Sequence, residues 1–224
     1  MRSATTRTLL AAALLAAFGS AQAVVLPPGS TQPLPGTTAA AEPQLAGVVE
    51  VDELVPFSFA TPGGDIFGNV QVRVVRSSVD DTIDFYWRVF NDRESASAVG
   101  SFRIGEFYPT TYDANWRIDG LGDVAPLSAT RFDGAFLGYV NFNFSDLLSP
   151  GTSSNFFFLD TDAHSYAKTA IYDLTNFGQT HISGLFSTYA PVYANVPEPG
   201  TAALMLAAGG VFGFVGRRKR QRAS

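Results

Sequence analysis

Between Gly47 and Tyr193, apolar and polar residues change places at every second position, and nothing else in the chain restricts its fold as strongly. Val70, Val72 and Val74 alternate with Asn69, Gln71 and Arg73, and Ile83, Phe85, Trp87 and Val89 alternate with Asp84, Tyr86, Arg88 and Phe90. Val140, Phe142 and Phe144 do the same with Tyr139, Asn141 and Asn143. A side-chain period of two belongs to a strand with one face in a core. Trp87 is in phase with Ile83 and Phe85, so it is expected inside. Phe156-Phe157-Phe158-Leu159 is apolar in both phases, as expected of a central strand covered on both faces.

Further strands are expected over Ala98–Phe107, Ile171–Leu174 and His181–Ser187. Turns are expected at Asn91–Glu94, Asp119-Gly120, Asp133-Gly134 and Ser149-Pro150-Gly151, with a polar hairpin connector at Arg76–Asp81. No stretch of this region is a persuasive amphipathic helix, although Ser145–Leu148 could make one turn. About eight to ten short strands with this turn spacing predict an all-β fold, a single β-sandwich over 47–195. Jelly-roll topology is preferred and an immunoglobulin-like one comes second. The 19 phenylalanines are enough to build its core, which has to hold without disulfides because the chain has no cysteine.

Ahead of this region, 24–46 reads VVLPPGSTQPLPGTTAAAEPQLA, with five prolines and little periodicity. Such composition predicts a flexible, Pro-rich leader. Before it, Arg2 and Arg7 precede an apolar run from Leu9 to Phe18 and then Ala21-Gln22-Ala23. This is the pattern of a signal peptide over 1–23, with Ala21 and Ala23 as the small residues of the cleavage site. An exported protein beginning at Val24 follows.

At the other end, Val196 to Arg220 reads VPEPGTAALMLAAGGVFGFVGRRKR. The uncharged run 201–216 would make a helix about 24 Å long, a little short for a bilayer core of about 30 Å. Arg217, Arg218, Lys219 and Arg220 mark its cytoplasmic side. The order of Pro197, Glu198, Pro199 and Gly200, then an apolar span, then a basic cluster closely resembles the PEP-CTERM sorting signal over 196–224. That family is found in Gram-negative bacteria that make exopolysaccharide. The resemblance implies an exosortase that recognises Pro-Glu-Pro at the inner membrane and removes the tail, and signal peptidase as the other partner in export. The product would lie at the cell surface or in the extracellular matrix. The blocks IDFYWRVFND, GYVNFNF, SPGTSSNFFFLDTDAHSYAKTA and ISGLFSTYAP also resemble a recurrent type of secreted PEP-CTERM protein, which brings no catalytic residues to carry over.

With both ends set aside, 24–196 holds 19 Asp and Glu against 8 Lys and Arg, a formal charge of −11. Such a body excludes nucleic acid as a partner, because phosphates need Lys and Arg. Two histidines and no cysteine cannot assemble the usual zinc sets, and there is no nucleophile elbow or phosphate loop. His164 lies near Asp160, Asp162 and Ser165 in sequence, yet a histidine in a polar loop is more often solvated. No catalytic residue is therefore assigned.

Asp160 and Asp162, at i and i+2 after a buried strand, are weak candidates for calcium, which takes six to eight oxygen ligands. Asp80, Asp81 and Asp84 form a second acidic group, and aspartates in such places are commonly turn residues. For a saccharide, Tyr86, Tyr108, Tyr112, Trp116, Tyr139 and Asn141 are candidates by type. Three functions follow: a non-enzymatic, exosortase-processed surface or matrix protein; a glycan-binding module, calcium-assisted or not; and, last, a glycoside hydrolase or lyase.

Overall fold

In the computed structural model, 23–108, 111–136 and 138–192 are described, and they contain no α-helix. Twelve strands run in chain order. They are β1 (Val24–Val25), β2 (Ser30–Pro33), β3 (Gly47–Thr61), β4 (Gly64–Ser77), β5 (Ile83–Asn91) and β6 (Val99–Gly105), followed by β7 (Asp113–Trp116), β8 (Ser128–Arg131), β9 (Val140–Leu148), β10 (Phe157–Asp160), β11 (Tyr166–Asn176) and β12 (Phe186–Pro191). Single 3₁₀ turns occur at Pro43–Leu45 and Gly134–Phe136.

The strands form two six-stranded antiparallel sheets, in the orders β1-β7-β10-β5-β4-β3 and β12-β11-β6-β9-β8-β2. We call them the first and second sheet. After the β3-β4-β5 meander the chain crosses from one sheet to the other at each connection from β5 to β8. The twelve strands are more than the roughly eight of a jelly roll or the seven to nine or so of an immunoglobulin sandwich.

The inward residues are those the alternation marks. Trp87 of the first sheet lies within 6.5 Å, centroid to centroid, of Phe102, Phe107 and Phe157. Phe157 meets Phe142 at 4.7 Å and Phe102 at 5.1 Å, both from the second sheet. The Trp87 indole N–H donates to the Thr188 hydroxyl at 2.9 Å, which satisfies a buried donor across the two layers. The sheets are therefore stacked through one aromatic core.

Two expectations are corrected here. Residues 24–46 are not a flexible leader. β1 pairs with β7 at the edge of the first sheet and β2 pairs with β8 at the edge of the second. Leu26, Leu34 and Leu45 are buried. Prolines are compatible with this because an edge strand has one side with no ladder partner to donate to.

β5 is also buried on both faces rather than half-buried, since Asp84 and Tyr86 are covered as fully as Phe85 and Trp87. Leu45 packs with Val75, Tyr86, Phe156 and Phe158 in a second, smaller cluster on the outer face of the first sheet. β10 lies between β5 and β7, with Phe157 in the main core and Phe158 in the outer cluster. Its two-faced apolarity is thus explained by the segment composition had set aside.

Smaller differences concern strand limits. The expected strand 181–187 is displaced to β12, with Ile182 making only an isolated bridge to Thr175. Ser145–Leu148 continues β9 and forms no helical turn. Sequence signals for β7 and β8 were too short to register. Ala21, the proposed span 201–216, Pro197, Glu198, Pro199, Gly200 and the basic cluster Arg217, Arg218, Lys219 and Arg220 lie outside the described residues. Among the described residues no helix is long and apolar enough to cross a membrane.

Candidate functional site

On the outer face of the second sheet, the polar phase of the strands forms a cross-strand row. Thr130 of β8 stands opposite Asn141 of β9, Asn141 of β9 opposite Arg103 of β6, and Arg103 opposite Asp173 of β11. Arg103 donates from Nε and Nη2 to the two Asp173 carboxylate oxygens at 2.6 and 2.7 Å. This forked pair fixes both side chains. Asn141 donates to Asn143 Oδ1 at 3.2 Å, while its own Oδ1 is buried without a partner.

Around this row lies a groove of about 520 Å³. Phe132 and Tyr139, both partly exposed, come from the β8–β9 connection, Leu185 and Gln179 from the β11–β12 connection, and Ile171 from β11 itself. Gly105, at the end of β6, allows Tyr139 to lie low: a Cβ there would stand 2.9 Å from the Tyr139 ring and 3.2 Å from Ile171. Gly138, at φ 91°, likewise leaves space for the ring of exposed Tyr108, which a Cβ would approach to 2.7 Å. The product is a trough with a polar floor and apolar walls.

Of the saccharide candidates named from sequence, Tyr139 and Asn141 meet in this groove, with Tyr108 at its margin through Gly138. Tyr86 and Tyr112 are buried packing residues, and burial pushes both phenols well above their ordinary range. Trp116 is half-buried, and its indole donates to the Leu34 carbonyl at 3.1 Å. Sequence reasoning missed Arg103, Asp173, Gln179, Phe132 and Leu185. For Arg103 the signal was present, because it occupies the polar phase of its strand.

The calcium candidates lie at one end of the first sheet. Asp84, Asp160 and Asp113 form one register row across β5, β10 and β7. Glu42, buried, belongs to the same charged group and accepts the main-chain N–H of Ala23. Burial, reinforced by the Asp160 charge, pushes Asp84 up to about 10. Asp160 and Asp113 are raised as well, chiefly by burial. Asp84 is therefore held protonated beside Asp160, and both of its carboxyl oxygens are buried without a hydrogen-bond partner among the described residues.

Asp160 and Asp162 both border the shallow cleft there, but burial disfavours the charged form of Asp160 that a cation would need. Among the described residues no group of three His, Asp or Glu side chains has the disposition to hold a metal ion. His164 is turned to the main-chain oxygen of Asp81 at 2.9 Å, so its ring is used in a loop contact. Asp80 accepts from the Thr82 hydroxyl at 2.7 Å, the expected behaviour of a turn aspartate.

A protein-family model described as the PEP-CTERM protein-sorting motif matches residues 195–220. The chain thus carries a sorting motif that implies export, a membrane-anchored C-terminal signal and processing by an exosortase. No curated protein and no solved structure matches the chain.

Proposed function

We propose that this is a non-catalytic surface or matrix protein of an exopolysaccharide-producing Gram-negative bacterium, exported by way of a signal peptide cut after Ala23. Its body binds a saccharide in the groove on the second sheet. The observation that supports this reading is the groove itself: a fixed Arg103–Asp173 fork and amides beneath the rings of Phe132 and Tyr139. Sugars offer hydroxyls to planar polar groups and a C–H face to aromatic rings, and small-ligand sites combine apolar walls with a few placed polar groups.

Binding fits the groove better than hydrolysis. A glycoside hydrolase needs two carboxyl groups across the scissile bond. Among the groove's lining residues Asp173 is the one carboxylate, and it is neutralised by Arg103. With a single carboxylate there, saccharide binding needs no calcium, although calcium elsewhere remains a separate proposal at Asp160 and Asp162.

The test is equilibrium binding of neutral oligosaccharides to the exported protein, with and without EDTA. Binding that survives EDTA, returns the sugar uncleaved and weakens about tenfold or more in Tyr139→Ala at unchanged melting temperature supports the reading. Cleavage of the sugar, or full affinity in Tyr139→Ala, contradicts it.

A further inference from the structure

We infer that the outer face of the first sheet carries a second site, for a carboxylate-bearing sugar of the uronate type. Its basis is a local reversal of charge. Of the eight Lys and Arg in the acidic span 24–196, Arg73, Arg88 and Arg117 line one groove of about 470 Å³. Arg73 stands on β4 and Arg88 on β5, while Arg117 follows β7. The Phe156 ring lies against the first two, with Arg73 Cζ 4.6 Å and Arg88 Cζ 5.8 Å from its centroid.

The three guanidinium groups are not equally engaged. Arg117 is used up, donating to both Asp119 oxygens at 2.7 and 2.9 Å and to the Leu45 carbonyl at 3.1 Å. Arg73 has one ion pair, to Asp52 at 2.7 Å, and its buried Nε has no acceptor. Arg88 donates to the Ser154 carbonyl and the Ser153 hydroxyl, at 3.1 and 2.9 Å, and is linked to the Asp123 carboxylate only through that hydroxyl, which donates to Asp123 at 3.0 Å, with no direct ion pair among the described residues. Two like charges thus flank the Phe156 ring, Arg88 lying also over Phe90 at 4.5 Å, with Asp52 the one carboxylate in direct ion pairing with either of them among the described residues. An anion entering there meets fixed donors and relieves that repulsion.

The rest of the lining says which anion. Val49 and Leu121 are exposed beside Phe156, so apolar surface flanks the charges. A uronate has one carboxylate per ring and C–H faces to lay on such surface. A nucleic acid or polyphosphate carries a much denser charge, which is repelled by a body of formal charge −11.

The test uses the whole exported protein with trigalacturonate as probe and its methyl ester as the uncharged control. The acid is expected to bind at least about tenfold more tightly than the ester and to weaken as salt is raised. Arg88→Gln should lose about tenfold in affinity for the acid. Should that variant misfold on losing its contacts to Ser153 and Ser154, Arg73→Gln, on a partly exposed side chain, is expected to show the same loss. Tyr139→Ala should leave trigalacturonate binding unchanged, which separates this site from the groove on the second sheet. Equal binding of acid and ester, no binding of either, equal competition by a DNA oligonucleotide, or full affinity in both folded arginine variants overturns the inference.

Discussion

The Tyr86 hydroxyl donates to the main-chain oxygen of Leu45 at 3.3 Å, so a residue in the middle of the first sheet is bonded to the Pro-rich segment that precedes it. Removing 24–46 takes away this bond, both edge strands and the buried side chains of Leu26, Leu34 and Leu45. Three buried leucines at about 1.5–3 kcal/mol each are comparable to the whole stability of an ordinary domain, about 5–15 kcal/mol. A chain starting at Gly47 should therefore melt far below one starting at Val24 and bind a hydrophobic dye in the cold. Circular dichroism melts of the two chains decide it, and equal melting temperatures would show that the segment is only a passenger.

Phe158 is fully buried between Tyr86, at 5.2 Å, and the segment that carries Leu45. Phe158→Ala should cost about 3–5 kcal/mol in denaturant unfolding. In the chain starting at Gly47 the same substitution should cost clearly less, because the outer cover has already gone and neighbouring losses do not add. A cost below about 1 kcal/mol in the complete protein would mean that the outer cluster contributes no stability.

Asp84 predicts how stability varies with pH. Its folded-state value of about 10 is far above the ordinary 3.8, so its contribution is fully present below about pH 4 and declines as pH rises towards 10. Glu42, Asp113 and Asp160 are raised too and act in the same direction. Glu50, Glu53, Asp80, Asp119 and Asp123 are lowered and cost stability only as the solution becomes acid, below the carboxylate range. The protein should thus resist urea better at pH 5 than at pH 8, and Asp84→Asn should flatten that slope. A slope of the opposite sign, or one that Asp84→Asn leaves intact, would contradict the burial of a protonated Asp84 beside Asp160.

How far the sequence could be read follows from what its periodicity records. Alternation in β4, β5 and β9 and two-phase apolarity in β10 report which side chains face a core, and Trp87, Phe142 and Phe157 are where these patterns put them. They cannot report what covers the other face. Leu45 gives no periodic signal because it reaches Phe158 from a 3₁₀ turn among prolines. The groove was half legible for a similar reason. Tyr139 and Asn141 are two positions apart in sequence, whereas Arg103 and Asp173 join them only through strand register between segments far apart in the chain.

Gly105 offers a test of the groove that leaves its polar floor untouched. A side chain at this position points at Tyr139 and Ile171, both on the outer face. Gly105→Val should fill the trough, reduce saccharide affinity about tenfold or more and change the melting temperature by only a few degrees. Undiminished affinity would place the sugar elsewhere on the protein.

Exosortase targeting is the central claim, and the C-terminal peptide of the protein, read by mass spectrometry in a host that carries an exosortase, tests it most directly. A plain anchor depends on apolar length and flanking charge, so Glu198→Ala would leave it as it was. A recognised signal depends on the Pro197-Glu198-Pro199 block itself, whose single carboxylate the substitution removes. We expect the unaltered protein to end between Pro197 and Gly200, and the Glu198→Ala protein to keep Arg217 to Ser224 and stay in the inner membrane. An unaltered protein that still carries its RRKRQR end in that host would contradict the account.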